Sequence, residues 1–146
     1  QNFGKTSGSG RLYASGLHNG TDFRARTPLR VMAMQSGVVA GVGDTDVTCP
    51  GASFGKWVLI RYNNGLASVY GHLSLVKTST GKVVNAGDVV GYSGNTGYSM
   101  APHLHVSVYA SAGVSVESRP SKSCSGRTYT LPLAAFNAYL DPMDYL

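Results

Sequence analysis

Short stretches of alternating apolar and polar residues recur along this chain, and turn-forming segments rich in Gly, Asn and Ser separate them. Alternation with a period of two is typical of β-strands that have one buried face. The pattern predicts six strands, at residues 38–42, 57–62, 66–70, 82–84, 89–92 and 104–110. It indicates a single all-β domain over residues 1–146, an antiparallel β-sandwich or open, barrel-like sheet with long loops.

Two segments of the second half do not alternate in this way. Residues 133–140 (LAAFNAYL) predict one short helix near the C-terminus. Residues 112–130 are rich in Ser, Gly and Arg, which predicts a long surface loop inserted into the domain.

The composition restricts the class of protein and the chemistry available to it. Apolar residues make up 42% of the 146 positions, which excludes a disordered chain. No apolar stretch approaches the roughly 20 residues that a membrane-spanning helix needs. Glu117 is the single glutamate beside six aspartates, which excludes a glutamate pair and the HExxH zinc-protease motif. Acid–base chemistry must therefore come from aspartates or from the four histidines.

The net charge of +5 comes from seven Arg and five Lys that are scattered singly. No basic stripe with interleaved aromatic residues is present, so we expect no nucleic-acid partner. Attraction to a polyanionic surface such as a bacterial wall is one interpretation, and a merely soluble basic protein is the other.

Cys49 and Cys124 are the two cysteines, and neither belongs to a CxxC pair. A thiolate zinc site is therefore not expected. We predict a disulfide between their two loops rather than free thiols, which implies an oxidising, extracytoplasmic compartment.

The clearest candidate chemistry lies in the predicted strand that begins at His103. Alternation places His103, His105, Ser107 and Tyr109 on one face and turns the intervening apolar residues to the core. One imidazole can then bind a metal while the other reaches a substrate or water, and the spacing leaves open which does which. Each histidine taken alone is more often a structural residue.

A second candidate is His18-Asn19-Gly20-Thr21-Asp22. A bend at Asn19-Gly20 would bring His18 and Asp22 together, and both residue types bind zinc. With one histidine of the His103–His105 strand they make three ligands and leave a fourth position open, as in catalytic zinc sites. His72, at the end of a predicted strand, and the remaining histidine are then the candidates for proton transfer and oxyanion stabilisation.

In order along the chain, these motifs resemble the lysostaphin- or LytM-type zinc endopeptidases of bacterial peptidoglycan and, more loosely, the beta-lytic proteases. The resemblance is carried by HNGTDF (18–23), SGVV (36–39), VYGHLS (69–74), residues 81–106 ending in PHLHV, and LDPMDYL (140–146).

The resemblance implies that His18, Asp22 and His105 bind one zinc ion. It also implies that His72 and His103 form the catalytic pair, which takes a proton from the attacking water and stabilises the tetrahedral intermediate. The implied substrates are stem or cross-bridge peptides of peptidoglycan, the implied location is secreted or periplasmic, and we expect a monomer.

Two positions depart from the family pattern. Met100 replaces a Thr before the PHLH motif, and Ser107 stands where an acidic residue is common. The alternative function is a non-enzymatic module of the same fold that binds wall or activates an amidase. The segment GKVVNAGDVVG also resembles the sheet repeat of lipoyl and biotinyl carrier domains. Such carriers need a lysine at the tip of a hairpin, and here no lysine follows Lys82 until Lys122. We hypothesise that residues 112–130 cover one end of the substrate groove.

Overall fold

The computed structural model describes residues 20–145, and β-strands dominate them. The first strands are β1 (Thr21–Arg24), β2 (Arg30–Met32), β3 (Gly37–Asp44), β4 (Lys56–Tyr62), β5 (Leu66–Val76) and β6 (Val83–Val84). The later strands are β7 (Val89–Ser93), β8 (His103–Ala110), β9 (Val114–Pro120), β10 (Thr128–Ala134) and β11 (Tyr139–Leu140). Within this range the helices are α1 (Thr45–Thr48) and short 3₁₀ turns at Ser111–Gly113, Phe136–Ala138 and Pro142–Asp144. All six predicted strands are present, which confirms the all-β class.

The main sheet is open and antiparallel, with the strand order β1-β8-β5-β4-β3-β6. The long strand β5 pairs with β4 along one edge. Along its other edge, residues 66–71 pair with β8 and residues 73–76 pair with β7. Strand β2 pairs with β7, and β11 pairs with β8, both in antiparallel orientation. Strands β9 and β10 form a separate two-stranded hairpin.

The central strands are buried on both faces of the sheet. On β4, Val58 and Ile60 belong to a first core, Trp57 and Leu59 belong to a second core, and all four side chains are 0% exposed. On β8, Val106 and Val108 face the first core as predicted. The expectation of one buried face is wrong, because the second face of these strands is also covered.

The helix predicted at residues 133–140 is not formed. Leu133 and Ala134 end strand β10, the next residues make a single 3₁₀ turn, and Tyr139–Leu140 pair with β8. An eight-residue helix is marginal in isolation because nucleation is unfavourable. Pairing of Leu133 with Ser115 and of Ala134 with Val114 therefore overrides the local helical pattern.

The segment predicted as a loop, residues 112–130, is also different in the structure. Most of it is the β9–β10 hairpin, in which seven residue pairs from Thr128↔Pro120 to Ala134↔Val114 are in register. Only the connection between Pro120 and Thr128 is a turn. The strands escape sequence recognition because their exposed positions carry Ser, Glu and Arg, so the apolar alternation is weak.

The predicted disulfide joins Cys49, directly after α1, to Cys124 in the hairpin turn, with their Cα atoms 5.8 Å apart. The Arg127 guanidinium donates to the Thr48 carbonyl at 3.0 Å, which ties the same two segments together. Among the described residues, no helix has the length and apolar character needed to cross a bilayer.

Replacing both cysteines by serine should lower the free energy of unfolding by about 2–4 kcal/mol, because the bond closes a loop of 75 residues. Urea unfolding monitored by the fluorescence of Trp57 measures this change. Ser125→Ala, in the same turn, is the control and should change stability by less than about 0.5 kcal/mol. Equal stability of the double variant and the parent chain would contradict the prediction.

Candidate metal and catalytic site

Asp22 and His105 lie directly opposite each other where β1 pairs with β8. Asp22 Oδ1 is 2.9 Å from His105 Nδ1, and the His105 side chain is only 1% exposed. Opposite residues of an antiparallel pair hold their Cβ atoms about 4.5–5.5 Å apart on one face of the sheet. The register of the two strands therefore brings two of the predicted metal ligands together.

Gly20 packs against the His105 imidazole. A Cβ atom at Gly20 would lie 2.6 Å from His105 Nε2 and 2.4 Å from the Val106 carbonyl oxygen, so a larger residue does not fit there. His18, the third predicted ligand, lies outside the described residues. Its place beside Asp22 and His105 stays a prediction.

His72 reaches the same face through a β-bulge in β5. Tyr70 is opposite Val58 and Leu73 is opposite Lys56, so Gly71 and His72 together face the single residue Trp57. The extra residue lets Tyr70 and Leu73 both stay in the first core while His72 turns toward His105. The sequence predicted a strand end at His72, whereas the strand continues to Val76.

The bulge holds His72 in an uncommon backbone conformation, with φ of 59°. Its N–H donates to the Phe54 carbonyl at 2.7 Å, and a Cβ atom at Gly71 would lie 2.9 Å from the Phe54 ring. A non-glycine residue in this region costs of order 1 kcal/mol or more and persists where its surroundings hold it.

The ring nitrogens of His72 and His103 have distinct partners. His72 Nδ1 donates to the Thr96 carbonyl at 2.7 Å, since a carbonyl can only accept, and this leaves His72 Nε2 without the proton in the neutral ring. His103 Nδ1 likewise donates to the Ala101 carbonyl at 2.8 Å. The other nitrogen of His103, Nε2, lies 3.6 Å from Asp22 Oδ1.

The pKa of His72 is lowered to about 4, chiefly by burial and in addition by the nearby His105 and His103. The hydrogen bond to Thr96 and the Asp22 charge raise this pKa by less. This pKa is well below the unperturbed value of about 6.5, so His72 is neutral near pH 7 and its Nε2 keeps an unprotonated lone pair.

The three histidine rings form one cluster. The His72 ring centroid is 4.7 Å from that of His103 and 5.9 Å from that of His105. The structure therefore brings together four of the five residues predicted for the site, and the fifth, His18, is not described. Among the described residues alone, no three His, Cys, Asp or Glu side chains are arranged so that they could hold a metal ion together.

Ser107 is a site residue whose role sequence reasoning missed. Its hydroxyl lies 2.8 Å from His105 Nε2, and its side chain is 0% exposed. The buried Tyr109 also bonds to Ser107, which lowers the Tyr109 pKa by less than burial raises it. The signal was available, since Ser107 is two residues after His105 on one strand face. Thr96 was also missed, because it contacts His72 through its backbone carbonyl, and a backbone contact cannot be recognised from the residue type.

A groove of about 850 Å³ runs past the histidine cluster. Its lining includes Phe54, His72 and His105, together with residues 119–123, 129 and 131–133 of the β9–β10 hairpin. His72 and His105 therefore lie in a cleft that is large enough for several residues of a peptide.

Residues 16–118 match the model of peptidase family M23. The DD-carboxypeptidase/endopeptidase Mpg of Neisseria meningitidis serogroup B is 36% identical over 94 residues, which are 64% of this chain. The chain spans only 20% of the length of Mpg.

Two solved structures are similar in fold. The catalytic domain of the antimicrobial peptidase lysostaphin from Staphylococcus simulans has a TM-score of 0.69 and 27% identity, covering 99% of this chain and 88% of that domain. A zinc containing peptidase from Vibrio cholerae has a TM-score of 0.59 and 26% identity. The alignment covers 76% of this chain and 32% of the Vibrio cholerae chain. On the family match, which spans well over half of its residues, the chain belongs to peptidase family M23.

Proposed function

We propose that this chain is a zinc-dependent endopeptidase that hydrolyses peptide bonds in bacterial peptidoglycan. The observation that carries the proposal is the Asp22–His105 pair beside the His72–His103 pair, with His72 and His105 lining one groove. Family membership supports peptide hydrolysis. Mpg is named as a carboxypeptidase and endopeptidase, and lysostaphin as an antimicrobial peptidase, which supports a wall substrate.

The donor set fits zinc. Asp22 Oδ1 and His105 Nδ1 are 2.9 Å apart, close enough for both to contact one ion whose bonds to nitrogen and oxygen are about 2.0–2.2 Å long. We propose His18 as the third ligand. When bound, zinc supplies the Lewis acidity that polarises a carbonyl group and acidifies water. The Vibrio cholerae relative is described as zinc containing, which agrees with this choice of metal.

We assign proton transfer to the histidine pair. His72 is neutral near pH 7, and its Nδ1 proton is fixed on the Thr96 carbonyl. Its Nε2 lone pair is therefore available to take a proton from the attacking water. His103, whose ring lies 4.7 Å from that of His72, is assigned the contact with the oxyanion of the tetrahedral intermediate. Because its Nδ1 proton is donated to the Ala101 carbonyl, this contact requires a second proton on His103, carried by Nε2 and donated to the oxyanion.

We assign Ser107 the role of positioning His105. A hydroxyl both donates and accepts, so Ser107 Oγ can bond His105 Nε2 whether or not that nitrogen carries a proton. When Nδ1 serves as the metal ligand, Nε2 carries the proton of the neutral ring, and this N–H then donates a hydrogen bond to Ser107 Oγ. Outer partners of this kind fix the tautomer and orientation of ligating histidines.

The finer aspects of location and assembly are also proposals. The Cys49–Cys124 disulfide supports an extracytoplasmic location, since such bonds persist in oxidising compartments. We propose that the chain is secreted or periplasmic and acts as a monomer on peptidoglycan peptides.

The direct test is mass spectrometry of the fragments released from purified peptidoglycan, with and without a zinc chelator. We expect fragments with a new amine terminus that disappear when the chelator is present. Readdition of zinc to the chelated protein is the control. No release from several wall chemistries by zinc-loaded protein would contradict the proposal and favour the non-enzymatic wall-binding or amidase-activating module.

Replacing His105 by alanine should remove metal binding and activity together, because a ligand is lost. Replacing His103 by alanine should leave the zinc content unchanged and lower turnover by about 10²–10⁴-fold, the usual contribution of a positioned acid or base. Metal analysis and initial rates measure the two effects. Normal turnover of the His103 variant would overturn the assigned roles.

Ser107→Ala should weaken zinc binding by about 10–100-fold, because His105 loses the partner that fixes its tautomer. Ser68→Ala is a matched control, since Ser68 is also 0% exposed but bonds to the Tyr62 hydroxyl away from the site. Competition with a zinc-binding dye measures the affinities, and urea unfolding measures stability. An unchanged zinc affinity in Ser107→Ala would exclude the positioning role.

A further inference from the structure

The two walls of the groove differ in their relation to the family. Phe54, His72 and His105 form the first wall and fall inside residues 16–118, which the family model matches. The hairpin residues 119–123, 129 and 131–133 form the second wall and lie beyond that match. The hairpin therefore adds a part of the groove lining that the family match does not include.

The second wall is held in place by several bonds at its tip. The Ser121 N–H donates to the Arg127 carbonyl at 2.8 Å, and the Cys124 N–H donates to the Ser121 hydroxyl at 2.9 Å. The disulfide to Cys49 and the Arg127–Thr48 hydrogen bond attach this turn to the first half of the chain. Such a fixed wall binds a ligand without the cost of ordering a loop.

This wall presents two cations, Arg119 and Lys122, to the groove. No aspartate or glutamate belongs to the described residues that line it. Arg119 donates to Glu117 Oε1 and to the Ser118 carbonyl, both at 3.0 Å, which orients its guanidinium. The pair with Glu117 is half exposed and therefore weak, and other N–H groups of Arg119 remain available. Lys122 has no ion-pair partner within residues 20–145.

We infer that the β9–β10 hairpin selects the substrate and that Arg119 and Lys122 bind a free carboxylate carried by the peptide. Tyr98, Tyr129 and Leu131 supply apolar surface along the same groove for the rest of the peptide. An uncharged run of glycines offers neither cation a partner. The inference rests on the proposed function, because it names the class of peptide that the histidine cluster cleaves.

The test uses two synthetic peptides that span the bond released from peptidoglycan and differ only in one group, a free carboxylate or its carboxamide. A pentaglycine peptide with both termini blocked, so that it carries no free carboxylate, is the third substrate. We expect kcat/KM for the carboxylate peptide to exceed that for the carboxamide by about tenfold, the effect of one charge-assisted hydrogen bond. The blocked pentaglycine should be cleaved more slowly than the carboxylate peptide, because it too offers the two cations no carboxylate. Higher salt should reduce the ratio, since screening weakens exposed charge pairs.

Variants of the two cations test whether the hairpin carries this preference. Arg119→Gln combined with Lys122→Gln should bring the carboxylate-to-carboxamide ratio close to one. Lys122→Gln alone should lower it by about threefold, and it leaves the Arg119–Glu117 pair intact. Arg30→Gln combined with Lys77→Gln is the matched control, because it removes two exposed charges that do not line the groove.

The outcomes separate this inference from the proposed function. Equal hydrolysis of both peptides by the parent chain, or a preference that survives in the Arg119/Lys122 variant, would overturn the inference while the peptidase activity stands. Cleavage of neither peptide, together with no release from peptidoglycan, would overturn the proposed function and with it the inference. A preference lost in the Arg119/Lys122 variant and kept in the Arg30/Lys77 variant supports the hairpin assignment.

Discussion

The register of β8 between its two neighbours is the constraint on which the whole site depends. His105 is opposite Asp22 of β1 on one side and opposite Gly71 of β5 on the other. These three positions form a row across the sheet, and His72 follows Gly71 in the bulge. A slip of one residue in either pairing would turn the side chains to the other face, because alternate residues of a strand point in opposite directions.

The unfavourable contributions to folding free energy in this arrangement fall mainly on His72. Its positive φ, its burial and its proximity to two other histidines are all unfavourable for an ordinary strand residue. The Phe54 and Thr96 carbonyls hold its backbone and its ring, and the missing side chain of Gly71 leaves room for Phe54. Burial also keeps the imidazole neutral, so the same features that strain the residue give it a basic nitrogen near pH 7.

Burial of His105 imposes a second requirement, which Ser107 meets. A nearly inaccessible imidazole leaves both ring nitrogens without water, and an unpaired buried nitrogen is destabilising. Asp22 partners Nδ1 and Ser107 partners Nε2. The departure from an acidic residue at position 107 therefore has a physical explanation, since a neutral hydroxyl satisfies the buried ring without adding a second buried charge. No comparable explanation is apparent for Met100, which is exposed.

Sequence alone determined strands β3 to β8, the candidate histidines and aspartate, and the pairing of the two cysteines. Alternation and residue chemistry are local properties, so they can be recognised in the sequence without knowledge of the fold.

Tertiary structure decided the features that depend on contacts between residues far apart in the chain. The β9–β10 pairing replaced the expected loop and helix, the bulge turned His72 toward His105, and the hairpin became the second wall of the groove. The secondary structure of these segments is set by strands far apart in sequence, because long-range pairing outweighs the weak conformational preferences of short segments.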